Sequence, residues 1–216
     1  MSTLALRREY GRRHDAVLVP LAGELETFIR NHFRELPRID RVASRAKSLD
    51  RFIAKAAKRD DQGSPKYSDP LTQIQDQIGA RIVTFYKQDV ERVSEHVLKY
   101  FTAVEQKTIV PDSEREFGYE GRHFILFLPE DLLDDDSHQN GAPMFFELQV
   151  KTLFQHAWGE AEHDLGYKPS TKLSPEQRRK IAFTSAQAWG ADQIFQELFD
   201  ALDGDPTGKA RGYNGD

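Results

Sequence analysis

Cysteine is absent from the 216 residues, so neither a disulfide framework nor a thiolate metal site is available. No apolar run approaches the roughly eighteen residues that a membrane helix needs. No charged-then-apolar leader opens the sequence either, so a signal peptide is not expected. The expected location is the cytoplasm, with no membrane partner. Positive charge is not in excess: 30 basic against 35 acidic residues leave a net charge of -5. That balance excludes a general attraction of the surface to nucleic acid and leaves room only for a local basic patch. A glycine-rich loop ending in Gly-Lys-Ser or Gly-Lys-Thr is also missing. Any phosphate chemistry must then use side-chain cations and carboxylate-held magnesium in place of that loop.

What is present is enough for one globular unit. A 38% hydrophobic content over this length predicts a single domain spanning residues 1–203, with the composition of a frayed tail over 204–216. In "HDAVLVPLAGELETFIRNHFREL", Leu18, Leu21, Leu25, Phe28 and Leu36 fall on one helical face, and Pro20 marks a boundary or a first turn. The basic stretch "RIDRVASRAKSLDRFIAKAAKR" reads on composition as a solvated cationic helix, within which Ser48 can cap a short helix carrying Phe52, Ile53 and Ala56. "LTQIQDQIGARIVTFY" passes from a polar helix into a strand with Arg81, Val83 and Phe85 on one face. An amphipathic helix follows, with Val90, Val93, Val97 and Phe101 inward. Strands are then predicted at "AVEQKTIV", "GYEGRHFILFLPE" and "PMFFELQV", the last two joined as a hairpin. Ser174, Pro175 and Gln177 form a capping box that opens a helix running to about Leu202.

Polar groups concentrate around "FFELQVKTLFQHAWGEAEHDLGYK". Strand alternation puts Glu147, Gln149 and Lys151 on one face and Phe146, Leu148 and Val150 on the other. Read alone, that is a strand with its polar side in water. On the helix beyond it, His156, Glu160 and His163 share a face, a spacing that also occurs in dimetal bundles. Such a cage needs further matching glutamates, and the only other Glu-x-x-His, Glu120 to His123, leads into a strand. The Asp134, Asp135, Asp136 run lacks the alternating acidic positions and closing glutamate of a calcium loop. A nucleotide site is the third reading. Arg45, Lys47 and Lys55 offer cations, Asp76 precedes a strand that carries Arg81, and Tyr119 supplies a planar ring at the mouth of the next.

In order and spacing these segments resemble the synthetase domain of the RelA/SpoT family, the alarmone synthetases. The resemblance covers about Arg45 to Lys168 and rests on "SRAKSLDRFIAK", "DQIGARIV", "GYEGRH", "FELQVKT" and "AWGEAEHDLGYK". It implies an α/β (α+β) fold, a mixed five-stranded sheet flanked by helices, nucleotidyltransferase-like, with N- and C-terminal helices. It also implies transfer of the β,γ-pyrophosphate of ATP to the 3′-hydroxyl of GDP or GTP. By position, Arg45 and Arg81 would sandwich adenine, while Lys47, Lys55 and the neighbouring Ser48 would hold the ATP phosphates. Asp76 and Glu147 would bind Mg2+, with Glu147 also accepting the proton. Tyr119 would stack on the acceptor base, and His123, Gln149, Lys151 and His163 would line the acceptor side.

The sequence departs from the family pattern on that acceptor side. Glu120, Gly121 and Arg122 stand where the family usually reads Arg-Ser-Leu, and Lys151 replaces an arginine, giving up bidentate phosphate recognition. Toxic small members of the family place pyrophosphate on the 3′ end of tRNA. An RNA acceptor touched by Arg41, Arg45, Lys58 and Arg59, with an antitoxin as partner, is therefore the alternative expectation. A noncatalytic nucleotide-binding module is the second alternative. Small family members are often oligomeric, although no surface stripe in this sequence demands it.

Overall fold

The computed structural model describes residues 2–113, 116–134, 136–137, 140–166 and 173–203. The tail over 204–216, Asp135 and Lys168 lie outside the described residues. Helix α1 (Thr3–Arg13) passes through a π-helical turn at His14–Leu18 into α2 (Val19–Phe33). Pro20 stands in the first turn of α2, as its position in the sequence suggested, and the helical run continues through it. The wider turn, in which the Val19 N–H reaches the His14 carbonyl, accommodates a residue that cannot donate to the turn before it.

A five-stranded sheet runs in the order β1-β2-β5-β4-β3, from β1 (Ile39–Ala46) and β2 (Ile78–Thr84) through β5 (Phe145–Thr152) and β4 (Gly121–Phe127) to β3 (Ala103–Ile109). All neighbours are antiparallel except β2 and β5. The mixed sheet implied by the resemblance is thus present. Its edge strand β1 occupies the basic stretch whose composition suggested a helix. Only Val42 of that strand is fully buried, so the apolar alternation that marks a strand is nearly absent and pairing with β2 decides its conformation.

One face of the sheet is apolar: Val42, Ile78, Ala80, Ile82, Phe124, Leu126, Phe146, Leu148 and Val150 are buried there. Against it pack Leu18 of the π-helical turn, α2, through Leu21, Leu25 and Ile29, and α5 (Lys87–Tyr100), through Val90, Val93 and Val97. Burial of this kind is the main stabilising term in a domain of this size. The other face is left for function. Helix α3 (Leu49–Ala56) follows β1 directly, with Phe52 buried against Tyr10, the rings stacked at 3.6 Å. The Tyr10 hydroxyl donates to the Lys47 carbonyl at 2.7 Å, so the N-terminal helix fixes the β1–α3 corner.

A short helix α4 (Pro70–Gln73) leads to Gln77, whose buried amide donates to the Leu71 and Ile74 carbonyls at 2.8 Å and sets the turn that presents Asp76. After β5 the chain enters α6 (Leu153–Gly166) and then α7 (Pro175–Asp203). The capping box is formed: the Ser174 N–H donates to Gln177 Oε1 at 2.8 Å and the Gln177 N–H to Ser174 Oγ at 3.2 Å. Among the described residues no helix is long and apolar enough to cross a membrane.

Candidate active site

Register on the polar face brings the functional strands together. Arg45 sits opposite Gly79, which sits opposite Glu147; Arg81 and His123 flank Gln149 on either side. A residue without a side chain at position 79 leaves an open trough between Arg45 and Glu147. The trough widens into a cavity of about 370 Å³ whose lining includes Arg45, Lys47, Ser48, Asp76, Arg81 and Glu147. Helix α3 supplies Ser48, Arg51 and Lys55 along one face, since they are three and four residues apart. The Ser48 side chain makes no capping bond, so its hydroxyl remains for a ligand.

Asp76 is the hub of this half. Its Oδ2 accepts from Lys55 Nζ at 2.8 Å and lies 3.0 Å from Lys47 Nζ. Burial pushes the Asp76 carboxyl up, but the two ammonium groups outweigh it and hold the group below its ordinary value. Two cations on one carboxylate leave a net positive charge, which suits a polyphosphate. Asp76 Oδ1 is buried with no hydrogen-bond partner. An orphaned carboxylate oxygen of that kind, facing a cavity shared with Glu147, fits a hard divalent cation.

Glu147 is likewise ionised: burial is the largest influence and raises it, as does Asp76, but the hydrogen bond from His123, the His123 charge and the hydrogen bond from Gln149 together outweigh them and hold it below its ordinary value. That mutual disfavour between two carboxylates is what a bound cation would relieve. His123 bridges the halves of the site, with Nδ1 3.0 Å from Glu147 Oε1 and Nε2 3.1 Å from the Tyr119 hydroxyl. Gln149 Nε2 donates to Glu147 Oε2 at 3.3 Å, and Lys151 Nζ donates to Gln149 Oε1 at 3.0 Å.

Lys151 is buried, and burial together with the nearby Arg81 charge pushes its ammonium down to about 8. It lies 4.9 Å from the Tyr119 ring centroid. The ring itself fills the space beside Gly121, where a Cβ would meet the Tyr119 hydroxyl at 2.5 Å, and a Cβ at Gly159 of α6 would meet the ring at 3.5 Å. The structure therefore brings Tyr119, His123, Gln149 and Lys151 together next to the cavity. His163 is exposed on α6 and Glu162 half-buried. Arg122 faces away from His123, as strand alternation predicts. It pairs with both oxygens of Glu91 at 2.7 Å and so does not replace the cation missing at Glu120.

Two residues weighed in the sequence only as metal ligands, Glu160 and His156, take another place here, and Arg51 was not singled out at all. Arg81 is ion-paired with Glu160, which reaches it from α6. His156, one turn earlier, is buried, with its Nδ1 unpartnered and 4.0 Å from Glu160 Oε1. Their shared face on α6 was visible, but nothing pointed it at Arg81. Arg51 could have been found, because it shares the α3 face of Ser48 and Lys55. Among the described residues no group of three or more His, Asp or Glu is placed to hold a metal ion, so the cage reading gains no support.

A family model described as "Region found in RelA / SpoT proteins" matches residues 44–172. The chain is 27% identical over 165 residues to GTP pyrophosphokinase YjbM of Bacillus subtilis (strain 168), covering 74% of this chain and 72% of the relative. Among solved structures, a GTP pyrophosphokinase family protein from Streptococcus pneumoniae superposes with a TM-score of 0.70 at 22% identity, covering 94% of this chain and 97% of the other. Small alarmone synthetase 1 of Bacillus subtilis bound to its product pppGpp superposes with a TM-score of 0.67 at 24% identity, covering 84% and 92%.

Proposed function

The chain belongs to the RelA/SpoT family, and from that premise we propose that it is an ATP-dependent pyrophosphokinase that makes (p)ppGpp from GDP or GTP. The observation that carries this reading is the Asp76 and Glu147 pair, ionised and facing one cavity flanked by Lys47, Lys55, Arg45 and Arg81. The similarity to a GTP pyrophosphokinase supports a guanine nucleotide as acceptor.

In the reaction the acceptor 3′-oxygen attacks the β-phosphorus of ATP, an O3′–Pβ bond forms, and the Pα–O–Pβ bridge breaks with its oxygen leaving on AMP. Lys47 and Lys55 bind the polyphosphate, and Arg45 and Arg81 hold the adenine. Asp76 and Glu147 hold magnesium, which when bound neutralises charge on the phosphates. The acceptor proton goes to Glu147. A carboxylate held below its usual range is a weak base, so positioning and charge neutralisation carry most of the rate.

The test is to incubate the purified protein with γ-labelled ATP and, in parallel, GDP, GTP and deacylated tRNA. Label is expected in the guanine nucleotides. Label in tRNA alone would replace this reading with the tRNA-modifying one, and binding without transfer would leave a noncatalytic module. The RNA alternative draws little from the basic residues offered for it: Arg41 is tied to Asp40 at 2.7 Å and Arg59 to the Gly63 carbonyl at 2.6 Å.

A further inference from the structure

We propose that helix α7 is a positioning element for the acceptor nucleotide, fixing the segment from Gly118 to Glu120 through Ser185, Gln155 and Asp192. The inference rests on the reading of Tyr119 and its neighbours as the acceptor side. The segment is pinned on both sides of Tyr119. Ser185 Oγ of α7 donates to the Gly118 carbonyl at 3.0 Å, and the Glu120 N–H donates to Gln155 Oε1 at 3.0 Å.

Gln155 is held in turn by α7. Its Nε2 donates to Asp192 Oδ2 at 3.4 Å, and the same oxygen accepts from Thr152 Oγ1 at 2.8 Å. Just before the segment, Phe117 meets Trp189 of α7 edge-on at 5.6 Å.

The chemistry of the network has a direction. A glutamine amide can face either way, but an ionised carboxylate only accepts, so Asp192 claims Nε2 and leaves Oε1 for the Glu120 N–H. Burial raises Asp192 to about 6, against the Thr152 and Gln155 hydrogen bonds and the Lys87 charge, so at pH 8 it remains an acceptor. Ser185, Gln155, Thr152 and Asp192 are 0%, 2%, 3% and 4% exposed. Docking a helix does not require four buried polar groups, whose desolvation costs free energy even when they are paired. The chain they form ends on one backbone N–H beside the Tyr119 ring, which gives that cost a use. Among the described residues, these side chains do not line the cavity assigned to ATP, so their effect falls on one substrate.

The experiment compares wild type with Asp192→Leu, Gln155→Met, Ser185→Ala and Asp192→Asn, assayed at pH 8 with GDP and ATP varied in turn. Asp192→Leu and Gln155→Met are expected to raise the GDP KM about five- to tenfold, the scale of one buried hydrogen bond, with the ATP KM within about twofold. Ser185→Ala, which removes only a hydroxyl, raises the GDP KM about threefold. Asp192→Asn keeps an acceptor oxygen toward Gln155 and stays near wild type. KM values for both substrates rising together, or a fall in kcat alone, would overturn the proposal. Amide hydrogen exchange separates this from the functional reading. Should the wild type transfer no label to any acceptor, that reading fails. Faster exchange at the Glu120 amide in Asp192→Leu, with β5 still protected, upholds the tether, and unchanged exchange removes it.

Discussion

The two halves of the site are built from different materials. The ATP half is made by the strands β1, β2 and β5 and by the helix that follows β1, so its cations and carboxylates are placed by sheet register and one tight corner. The acceptor half also takes His123 from β4 and Gln149 and Lys151 from β5, but its Tyr119 depends on the segment before β4, held by side chains from α6 and α7 that lie far away in sequence. Strand-borne groups move only if the sheet moves. Loop-borne groups can be displaced by one side chain, so damage to the ATP half should strike turnover and damage to the acceptor half should strike one KM.

The largest effect tests the first half of that contrast. Glu147→Gln and Asp76→Asn each remove a charge from the cation-binding pair without changing shape, and turnover is expected to fall at least ~10²-fold while far-UV dichroism is unchanged. Near-normal labelled pyrophosphate transfer in either variant would break the assignment of both carboxylates. Next in size is Gly121→Ala. A methyl there meets the Tyr119 hydroxyl at 2.5 Å and its ring at 2.9 Å, so the ring must swing away and lose His123. We expect the acceptor KM to rise about tenfold with the ATP KM little altered. Equal rises in both would show that the halves are not separable.

A smaller effect comes from pH. Lys151, pushed down to about 8, is a cation below that value and neutral above it, so its attraction for an acceptor phosphate fades as pH rises through 8. From pH 7 to pH 9 the acceptor KM should climb about fivefold in wild type. In Lys151→Arg, whose guanidinium stays charged, the climb should flatten. A wild-type profile identical to that of the arginine variant would remove Lys151 from acceptor binding.

The same contrast explains what the sequence made legible. Apolar faces repeating every two or every three to four residues disclosed β2, α5 and β5, because those elements bury their pattern against a core, whereas α7 was disclosed by its capping box and leaves most of its large apolar residues exposed. Strand β1 escaped because its outward residues are arginines and its inward ones, Val42 apart, are small or polar. A half-covered edge strand carries little hydrophobic signal. Within the site, Asp76, Arg81, Glu147 and Gln149 were reached through motif order; the register puts Arg81, Glu147 and Gln149 on one face, and Asp76 lines the same cavity from the turn before β2. Arg51 could have been added from the helical spacing of Ser48 and Lys55. The supports of the acceptor segment could not be, since Ser185 and Asp192 look like ordinary polar residues of a long helix until the fold sets them against Gly118 and Gln155.

Glu160 provides the smallest and sharpest separation, because it reaches from α6 of the acceptor side to Arg81 of the ATP side. Its side chain is half exposed, with Arg81 less so, and an ion pair in contact with water contributes no more than about 1 kcal/mol. Burial raises the Glu160 carboxyl, and the Arg81 charge and hydrogen bond, with the His156 and Arg45 charges, together outweigh it, so the pair is fully charged at neutral pH. Glu160→Gln keeps a hydrogen-bond acceptor for the guanidinium and removes only the charge. If Arg81 is placed mainly by its strand, the ATP KM should shift by less than about threefold and the acceptor KM should not move. If instead the acceptor KM responds as strongly as the ATP KM, Glu160 couples the two halves, and the division between a sheet-built donor site and a tethered acceptor site fails at this residue.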